Sequence, residues 1–220
     1  MNPPHSDPTS TASHNAGIVF VAVEGIDGAG KSTFAARLAT ELRRRDYLPV
    51  QLSEPSYGPF GQEARQLLAK GVAMTDPRLN ELFLADRRDH AARRTRPLLA
   101  VARDRPGLRM VLVQDRSFYS SQAYQGLDDA AARADIERYE RVAVRPDLVV
   151  VLDVPLRVAV ERIARRPAAE QDVTSVEVLG RARAVYLELA ARLPHFAVLD
   201  GTRDLDDLAD EVASRHWPAN

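Results

Sequence analysis

The 220-residue sequence contains no cysteine, which excludes disulfide bonds, thiolate metal sites and cysteine nucleophiles. Long apolar runs are also missing, since no stretch approaches the roughly 20 residues of a membrane-spanning helix. Acidic and basic residues nearly balance, and the net charge of −1 predicts no bulk attraction to nucleic acid. We therefore expect a cytoplasmic protein with neither nucleic acid nor a membrane as a partner.

Lysine is almost as scarce as cysteine. Lys31 and Lys70 are the only two lysines, so arginine supplies 28 of the 30 basic side chains. An ammonium retained in such a chain is a candidate for a role that the planar guanidinium cannot fill. Lys70 is expected to be a solvated surface residue, whereas Lys31 lies in a glycine-rich segment.

Residues 1–16 form a polar segment that contains proline and serine but no apolar core of a signal peptide. We expect this segment to be a disordered tail. Residues 17–220 suffice for one domain with a sizeable core, and we expect a single domain there.

The rest of the chain alternates between two hydrophobic patterns. Short apolar runs predict strands at Ile18–Glu24, Leu48–Leu52, Met110–Val113, Leu148–Leu152 and Phe196–Leu199. Apolar residues at helical spacing predict helices at Lys31–Arg45, Glu63–Lys70, Pro77–Leu99, Ala130–Ala143, Leu156–Ala164, Ser175–Leu193 and Leu205–Ser214. Apolar strands that alternate with helices are typical of an α/β fold with a parallel sheet.

The glycine-rich segment follows the first predicted strand and fits the phosphate-loop motif G-x-x-x-x-G-K-[ST]. In this motif, backbone N–H groups close around phosphates at a helix N-terminus. Lys31 would reach the β- and γ-phosphates, and the Ser32 hydroxyl would ligate Mg²⁺. The motif therefore predicts a nucleotide and Mg²⁺ bound by Gly25, Ile26, Asp27, Gly28, Ala29, Gly30, Lys31, Ser32 and Thr33.

A second pair of candidate residues follows the predicted strand Met110–Val113. Asp115 is expected at the carboxyl end of that strand, beside the phosphate loop, where its carboxylate would hold Mg²⁺ through water. Arg116 could clamp an acceptor phosphate with two hydrogen bonds. A surface ion pair in a turn is the alternative for these two residues.

The chain resembles thymidylate kinases in four stretches, which read "EGIDGAGKST", "SEPSYGPFG", "ELFLADRRDH" and "QDRSFYSSQAYQG" in chain order. The resemblance extends from about Ile18 to Val212. It implies a P-loop NTPase fold, with a five-stranded parallel sheet flanked by helices on both faces and a short lid at about residues 165–174. It also implies an enzyme that transfers the γ-phosphoryl group of ATP to dTMP, giving dTDP, and that is commonly a homodimer.

The resemblance implies an acceptor site as well. In the family the aromatic residue at Phe83 stacks on thymine, and the arginine at Arg87 contacts the base or phosphate. Phe83 as an ordinary core residue is the alternative. Tyr124 would pack against the sugar at C2 and leave no room for a ribose hydroxyl. The other implied acceptor residues are Glu54, Pro55, Ser120, Ser121 and Gln125. For Ser121, Tyr124 and Gln125, a structural role in a helical turn is the alternative.

Asp27 is an acid within the phosphate loop, although a carboxylate beside bound phosphates is repulsive. In the family this acid points toward the acceptor's sugar, where it would accept a hydrogen bond from the 3′-hydroxyl. The resemblance assigns Arg162 to ATP, and it assigns Arg165 and Arg166 to the lid, where they would neutralise the transferring group. A solvated basic helix end is the alternative for these three arginines.

The chain departs from the family pattern in three places. Ser53 replaces an arginine that is common before Glu-Pro, Ser117 replaces an aromatic residue or histidine, and "AAEQDVT" replaces an acidic-arginine-acidic run in the lid. A kinase for another pyrimidine nucleotide therefore remains an alternative function. Two further alternatives are a deoxynucleoside kinase, with Glu24 or Asp27 as its base, and a non-catalytic nucleotide-binding paralogue.

Overall fold

A five-stranded parallel sheet forms the centre of the computed structural model, which describes residues 18–74, 76–125, 137–166 and 174–217. The strands are β1 (Phe20–Glu24), β2 (Leu48–Ser53), β3 (Met110–Asp115), β4 (Leu148–Asp153) and β5 (Phe196–Asp200). They are ordered β2-β3-β1-β4-β5, and all neighbours are parallel. The predicted α/β fold with a parallel sheet is thereby confirmed. The tail expected at residues 1–16 lies outside the described residues.

Helices connect the strands. In the described part of the chain the α-helices are α1 (Lys31–Arg44), α2 (Pro59–Ala69), α3 (Pro77–His90), α4 (Arg96–Asp104), α5 (Phe118–Tyr124), α6 (137–142), α7 (Leu156–Ala164), α8 (Val176–Arg192) and α9 (Leu205–His216). Residues 130–136 of the predicted helix Ala130–Ala143 lie outside the described residues. Several helices begin at a side chain that accepts a hydrogen bond from the first turn, as expected of N-caps: Asp76, Ser117, Ser175 and Asp204.

The central strands are buried because helices cover both faces of the sheet. Side chains alternate along a strand, so Phe20 and Val21 of β1 point to opposite faces. Phe20 packs with Leu112 of β3 and with Leu99 and Ala102 of α4. Val21 belongs to a larger core to which α1, α8 and α9 contribute.

The single helix predicted at Pro77–Leu99 is interrupted in the structure. The structure has α3, then a π-helical turn at Ala91–Thr95, then α4, which continues to Asp104. Pro97 lies at the start of α4 and has no N–H group to donate to the carbonyl of Arg93, four residues earlier. The wider π turn lies where this regular hydrogen bond is lost.

Two other helices differ from the prediction. α2 begins at Pro59, four residues before the predicted Glu63, because a proline is well tolerated in the first helical turn. α5 was not predicted as a helix, since its seven residues carry no clear apolar spacing.

The two ends of the described chain meet beside β1. The indole N–H of Trp217, which is 2% exposed, donates a hydrogen bond to the Ile18 carbonyl at 2.8 Å. None of the helices in the described residues combines the length and the apolar character needed to cross a membrane.

The carboxyl ends of β1, β2 and β3 lie at one edge of the sheet. Asp115, the last residue of β3, is in register with Val23 of β1 and with Ser53 of β2. The phosphate loop follows β1 at the same edge. Segments that are distant in sequence therefore converge there, as expected for ligand sites in parallel α/β sheets.

Candidate active site

The carboxyl ends of these strands border a cavity of about 840 Å³. The phosphate loop lines part of it through Asp27, Lys31 and Ser32, and α3 lines another part through Phe83 and Arg87. Residues predicted to bind the nucleotide and residues predicted to bind the acceptor therefore share one continuous space.

The phosphate loop turns sharply between β1 and α1. Gly28 and Gly30 have φ angles of 81° and 96°, a left-handed conformation that favours glycine. A side chain on Gly28 would also collide with the Ala159 backbone of α7. Ile26 and Ala29 are buried in the core, so they could offer a nucleotide only backbone groups. Thr33 is exposed in the first turn of α1.

Lys31 is only 6% exposed despite its charge. Its ammonium donates a hydrogen bond to the Ile26 carbonyl at 2.8 Å and lies 3.7 Å from a carboxylate oxygen of Asp27. Burial, followed by the nearby charge of Arg116, lowers the pKa of Lys31 to about 8. A bound phosphate would favour the charged form, because an adjacent anion stabilises an ammonium.

Ser32 and Asp115 meet although 83 residues separate them. The Ser32 hydroxyl donates to Oδ2 of Asp115 at 2.5 Å, and Oδ1 of Asp115 is buried with no hydrogen-bond partner in the described residues. A hydroxyl and a carboxylate with a spare oxygen fit Mg²⁺, which prefers few protein ligands and completes its shell with phosphate oxygens and water. No cluster of three or more His, Cys, Asp or Glu side chains suited to a metal occurs in the described ranges.

Asp27 is buried and has three neighbours. Its carboxylate accepts a hydrogen bond from Arg116 and lies near Lys31, and its backbone N–H donates to the Tyr124 hydroxyl at 2.8 Å. Burial alone would raise the pKa of Asp27, but the charges of Arg116 and Lys31 lower it to about 2. The sequence did not predict that the acid of the phosphate loop would pair with Arg116.

Arg87 of α3 is 5% exposed and is held by Glu54. Its Nε and Nη2 atoms lie 2.9 and 2.8 Å from Oε2 of Glu54, and Nη2 also donates to the Ser121 hydroxyl at 3.3 Å. Burial would raise the pKa of Glu54, but Arg87 and His90 lower it. Phe83, one helical turn before Arg87, is 8% exposed and borders the cavity. The guanidinium is therefore fixed beside an aromatic ring.

The remaining predicted acceptor residues divide into two groups. Pro55, Ser120, Ser121 and Tyr124 line the cavity. Gln125, at the end of α5, is buried and does not line it.

Near Tyr139, the buried atoms Nη1 of Arg87 and Oε1 of Gln125 have no hydrogen-bond partner among the described residues. The Gln125 amide is oriented by its Nε2, which donates to Asn80 Oδ1 and, at 3.1 Å, to the Tyr139 hydroxyl. The Arg87 guanidinium lies over the Tyr139 ring, 4.8 Å from its centroid. Of these two residues, Arg87 lines the cavity, so its spare donor can meet a ligand there.

The arginines that follow β4 have different surroundings. Arg162 reaches the phosphate loop, where Nη1 donates to the Ala29 carbonyl at 3.2 Å, and its Nη2 donates to the Gly201 carbonyl at 3.1 Å. Arg165 is exposed and does not line the cavity, whereas Arg166 is half-buried and does. Residues 167–173 of the expected lid lie outside the described residues.

Sequence reasoning missed two cationic residues that line the cavity, Arg65 of α2 and Arg181 of α8. Arg65 donates to the Pro55 carbonyl and lies 4.9 Å from the centroid of the Tyr57 ring. Neither arginine belongs to a motif, and in a chain with 28 arginines the residue type gives no local signal. Only the packing of α2 and α8 around the cavity identifies them.

Comparisons with known proteins agree with this geometry. A family model described as thymidylate kinase matches residues 23–212. The chain is 33% identical over 207 residues to the probable thymidylate kinase of Thermococcus onnurineus (strain NA1), with 89% of this chain and 96% of that protein covered. It is 36% identical over 197 residues to the thymidylate kinase of Xanthomonas campestris pv. campestris (strain B100), with 87% and 80% covered. The chain therefore belongs to the thymidylate kinase family.

Proposed function

We propose that this chain transfers the γ-phosphoryl group of ATP to dTMP, giving dTDP, with Mg²⁺ held by Ser32 and Asp115. One observation carries the proposal: the phosphate loop and the acceptor residues line a single cavity and meet where Asp27 contacts Arg116. A plain ATPase has no use for a second polar site next to its phosphate loop.

The reaction depends on positioning rather than on acid–base help. The second pKa of a phosphate monoester is about 6, so the acceptor phosphate is already anionic at neutral pH and needs no general base. Lys31 and Arg116 would neutralise charge on the transferring group and the acceptor phosphate, with Arg165 and Arg166 added from the lid. Mg²⁺, when bound, adds to this neutralisation and orients the phosphates.

The spare donor of Arg87 at the cavity supports a pyrimidine base in the acceptor. Nη1 of Arg87 is a buried donor that needs an acceptor, and a carbonyl oxygen of a pyrimidine base can supply one. Thymine presents two such carbonyl oxygens, so this contact is compatible with dTMP; the choice of thymine over cytosine rests on membership of the thymidylate kinase family. A ligand that leaves this buried donor unpaired is strongly disfavoured.

The remaining expectations about the acceptor and the assembly are part of the same proposal. Asp27 would accept a hydrogen bond from the sugar 3′-hydroxyl, and Tyr124 would exclude a ribose hydroxyl. Arg162 would serve the ATP side, where it already holds the phosphate loop. We further propose a lid at about residues 165–174, a homodimer, and a cytoplasmic location with no nucleic-acid partner.

A deoxynucleoside kinase is less well supported than a monophosphate kinase. That reaction needs a carboxylate free to act as a base on a sugar hydroxyl. Glu24 is fully buried and accepts hydrogen bonds from Ser117 and Tyr186, among others, while Asp27 is paired with Arg116.

The test is ATP-dependent phosphorylation of dTMP, dUMP, UMP, CMP and thymidine, with Asp115→Asn as the control that should abolish turnover. We expect dTMP to have the highest kcat/KM and dUMP to be about fivefold lower, since one methyl group is worth roughly 1 kcal/mol. Preferred use of thymidine would indicate a deoxynucleoside kinase instead. Preferred use of CMP or UMP would indicate a different monophosphate kinase, and ATP binding without any phosphorylated product would indicate a non-catalytic paralogue.

A further inference from the structure

Glu24, the last residue of β1, is a completely buried carboxylate that lies outside the cavity lining. Its Oε1 accepts hydrogen bonds from the N–H and the hydroxyl of Ser117, at 2.6 and 2.7 Å. Its Oε2 accepts from the hydroxyls of Ser120 and Tyr186, at 2.7 and 2.8 Å. Four donors thus meet the roughly four lone-pair positions of an ionised carboxylate.

The bonds to Ser117 and Ser120 hold the turn that carries Arg116. Arg116 has a φ angle of 66°, a left-handed conformation that is uncommon for residues other than glycine. Such a conformation persists only where the surrounding structure determines it. The Arg116 carbonyl accepts a hydrogen bond from Nε2 of Gln114 at 3.0 Å, and Glu24 anchors the next peptide N–H.

A continuous chain of contacts also links Glu24 to the guanidinium itself. Nη1 of Arg116 lies 3.4 Å from the Ser120 hydroxyl oxygen, and that hydroxyl donates to Glu24. Nη2 of Arg116 donates to Asp27 across the cavity edge. Burial raises the pKa of Glu24, while the hydrogen bonds from Ser120, Ser117 and Tyr186 and the charge of Arg116 oppose that effect.

We propose that Glu24 is a positioning residue for phosphoryl transfer: through Ser117 and Ser120, it holds the Arg116 guanidinium where the acceptor phosphate binds. The inference rests on the proposed function, because it needs an acceptor phosphate at Arg116. Glu24 itself touches no substrate, since its side chain is buried behind the turn. A carboxylate that acted as a general base would have to reach the cavity, and Glu24 does not line it.

The test is a double-mutant cycle between Glu24→Gln and Arg116→Ala, measured as kcat/KM for dTMP at saturating ATP. Glutamine keeps the shape but cannot accept all four hydrogen bonds. In the parent background we expect a loss of about 100-fold, as for other small displacements of a catalytic group, with the KM for ATP changed less than about twofold. With Arg116→Ala, Glu24→Gln should cost less than about threefold, because no guanidinium remains to be placed.

Glu41→Gln is the matched control. Glu41 is a buried glutamate of α1 whose carboxylate accepts hydrogen bonds from Arg44 and Arg45, and it does not line the cavity. It should change kcat/KM little and by the same factor in both backgrounds. Equal losses from Glu24→Gln in both backgrounds would mean a merely structural role and would overturn the inference, although dTMP phosphorylation would stand.

Two further measurements cover the remaining outcomes. If Glu24→Gln does not fold, Ser120→Ala removes one link and should lower kcat/KM about tenfold, again only when Arg116 is present.

If the parent does not phosphorylate dTMP, the proposed function fails, and the position of Arg116 is followed by the NMR signal of its Nε–H group, assigned with Arg116→Lys. A signal unchanged by Glu24→Gln would overturn the positioning role, and a shifted or broadened signal would support it.

Discussion

Asp27 of the phosphate loop accepts a hydrogen bond from Arg116, which lies 89 residues further along the chain. The contact joins the residue proposed to face the acceptor's sugar to the residue proposed to hold the acceptor's phosphate. An acceptor that engaged both side chains would therefore replace one protein ion pair with two ligand contacts. Asp27 and Arg116 mark the boundary between the two halves of the cavity.

Lys31→Arg should lower turnover with ATP and dTMP by about 100-fold or more, which corresponds to roughly 3 kcal/mol of transition-state stabilisation. The Lys31 side chain is enclosed and bonded to the Ile26 carbonyl, and a longer planar guanidinium does not fit that space. Lys70→Arg is the matched control, because Lys70 is exposed and should tolerate the change. Near-normal turnover of Lys31→Arg would contradict the assignment of the loop.

The proposed contact between Asp27 and the 3′-hydroxyl is tested by a cycle of Asp27→Asn against dTMP and its 3′-deoxy analogue. In the parent, loss of the hydroxyl should cost roughly 1.5 to 3 kcal/mol in kcat/KM. In the variant this cost should shrink, since the neutral amide makes a weaker contact. Any effect of Asp27→Asn on Arg116 is common to both substrates and cancels. A coupling below about 0.5 kcal/mol would rule out the contact.

The ion pair of Asp27 should make stability depend on acid pH. Because the pKa of Asp27 falls from 3.8 to about 2 on folding, the ionised carboxylate contributes roughly 2 kcal/mol to the free energy of unfolding. This contribution is complete above about pH 5 and is lost as the pH falls from about 4 to 2. The free energies of unfolding of the parent and of Asp27→Asn, measured in urea, should therefore differ, and this difference should narrow below pH 4. A difference that stays constant between pH 5 and 3 would argue against the depressed pKa.

Arg87→Lys should lower kcat/KM for dTMP by about 10- to 100-fold while the KM for ATP stays nearly unchanged. Arg87 contacts Glu54 through Nε and Nη2 and Ser121 through Nη2, and a single ammonium cannot reproduce that planar geometry. Arg88→Lys, on an exposed position of the same helix, is the control and should have little effect. An equal effect on ATP and dTMP would indicate a general disturbance of the fold.

Much of the fold and the identity of most site residues could be predicted because the signals are local. A strand that is apolar on both faces predicts a buried parallel strand. The phosphate-loop motif is contiguous, and Asp115 follows an apolar run, so its placement at the strand end required no tertiary information.

The partners of these residues could not be predicted, because they depend on packing between distant segments. Nothing near Asp27 in the sequence indicates Arg116, and nothing near Glu24 indicates Tyr186, 162 residues later. Arg65 lacks a motif altogether. Helix α5 escaped prediction for a related reason: its N-cap, Ser117, and its buried aromatic residues are stabilised by tertiary contacts rather than by apolar spacing.

The hydrogen bond from Trp217 to Ile18 places both ends of the described chain within reach of a single indole side chain. A short flexible linker between these positions would therefore satisfy the geometry of a circular permutant. New termini could open in the exposed 3₁₀ turn Pro106–Leu108, between α4 and β3, away from the cavity. In such a permutant the β3 strand and Asp115 would precede the phosphate loop in the chain, yet Ser32 and Asp115 would still meet. The site therefore does not depend on whether the phosphate loop or the end of β3 comes first in the chain.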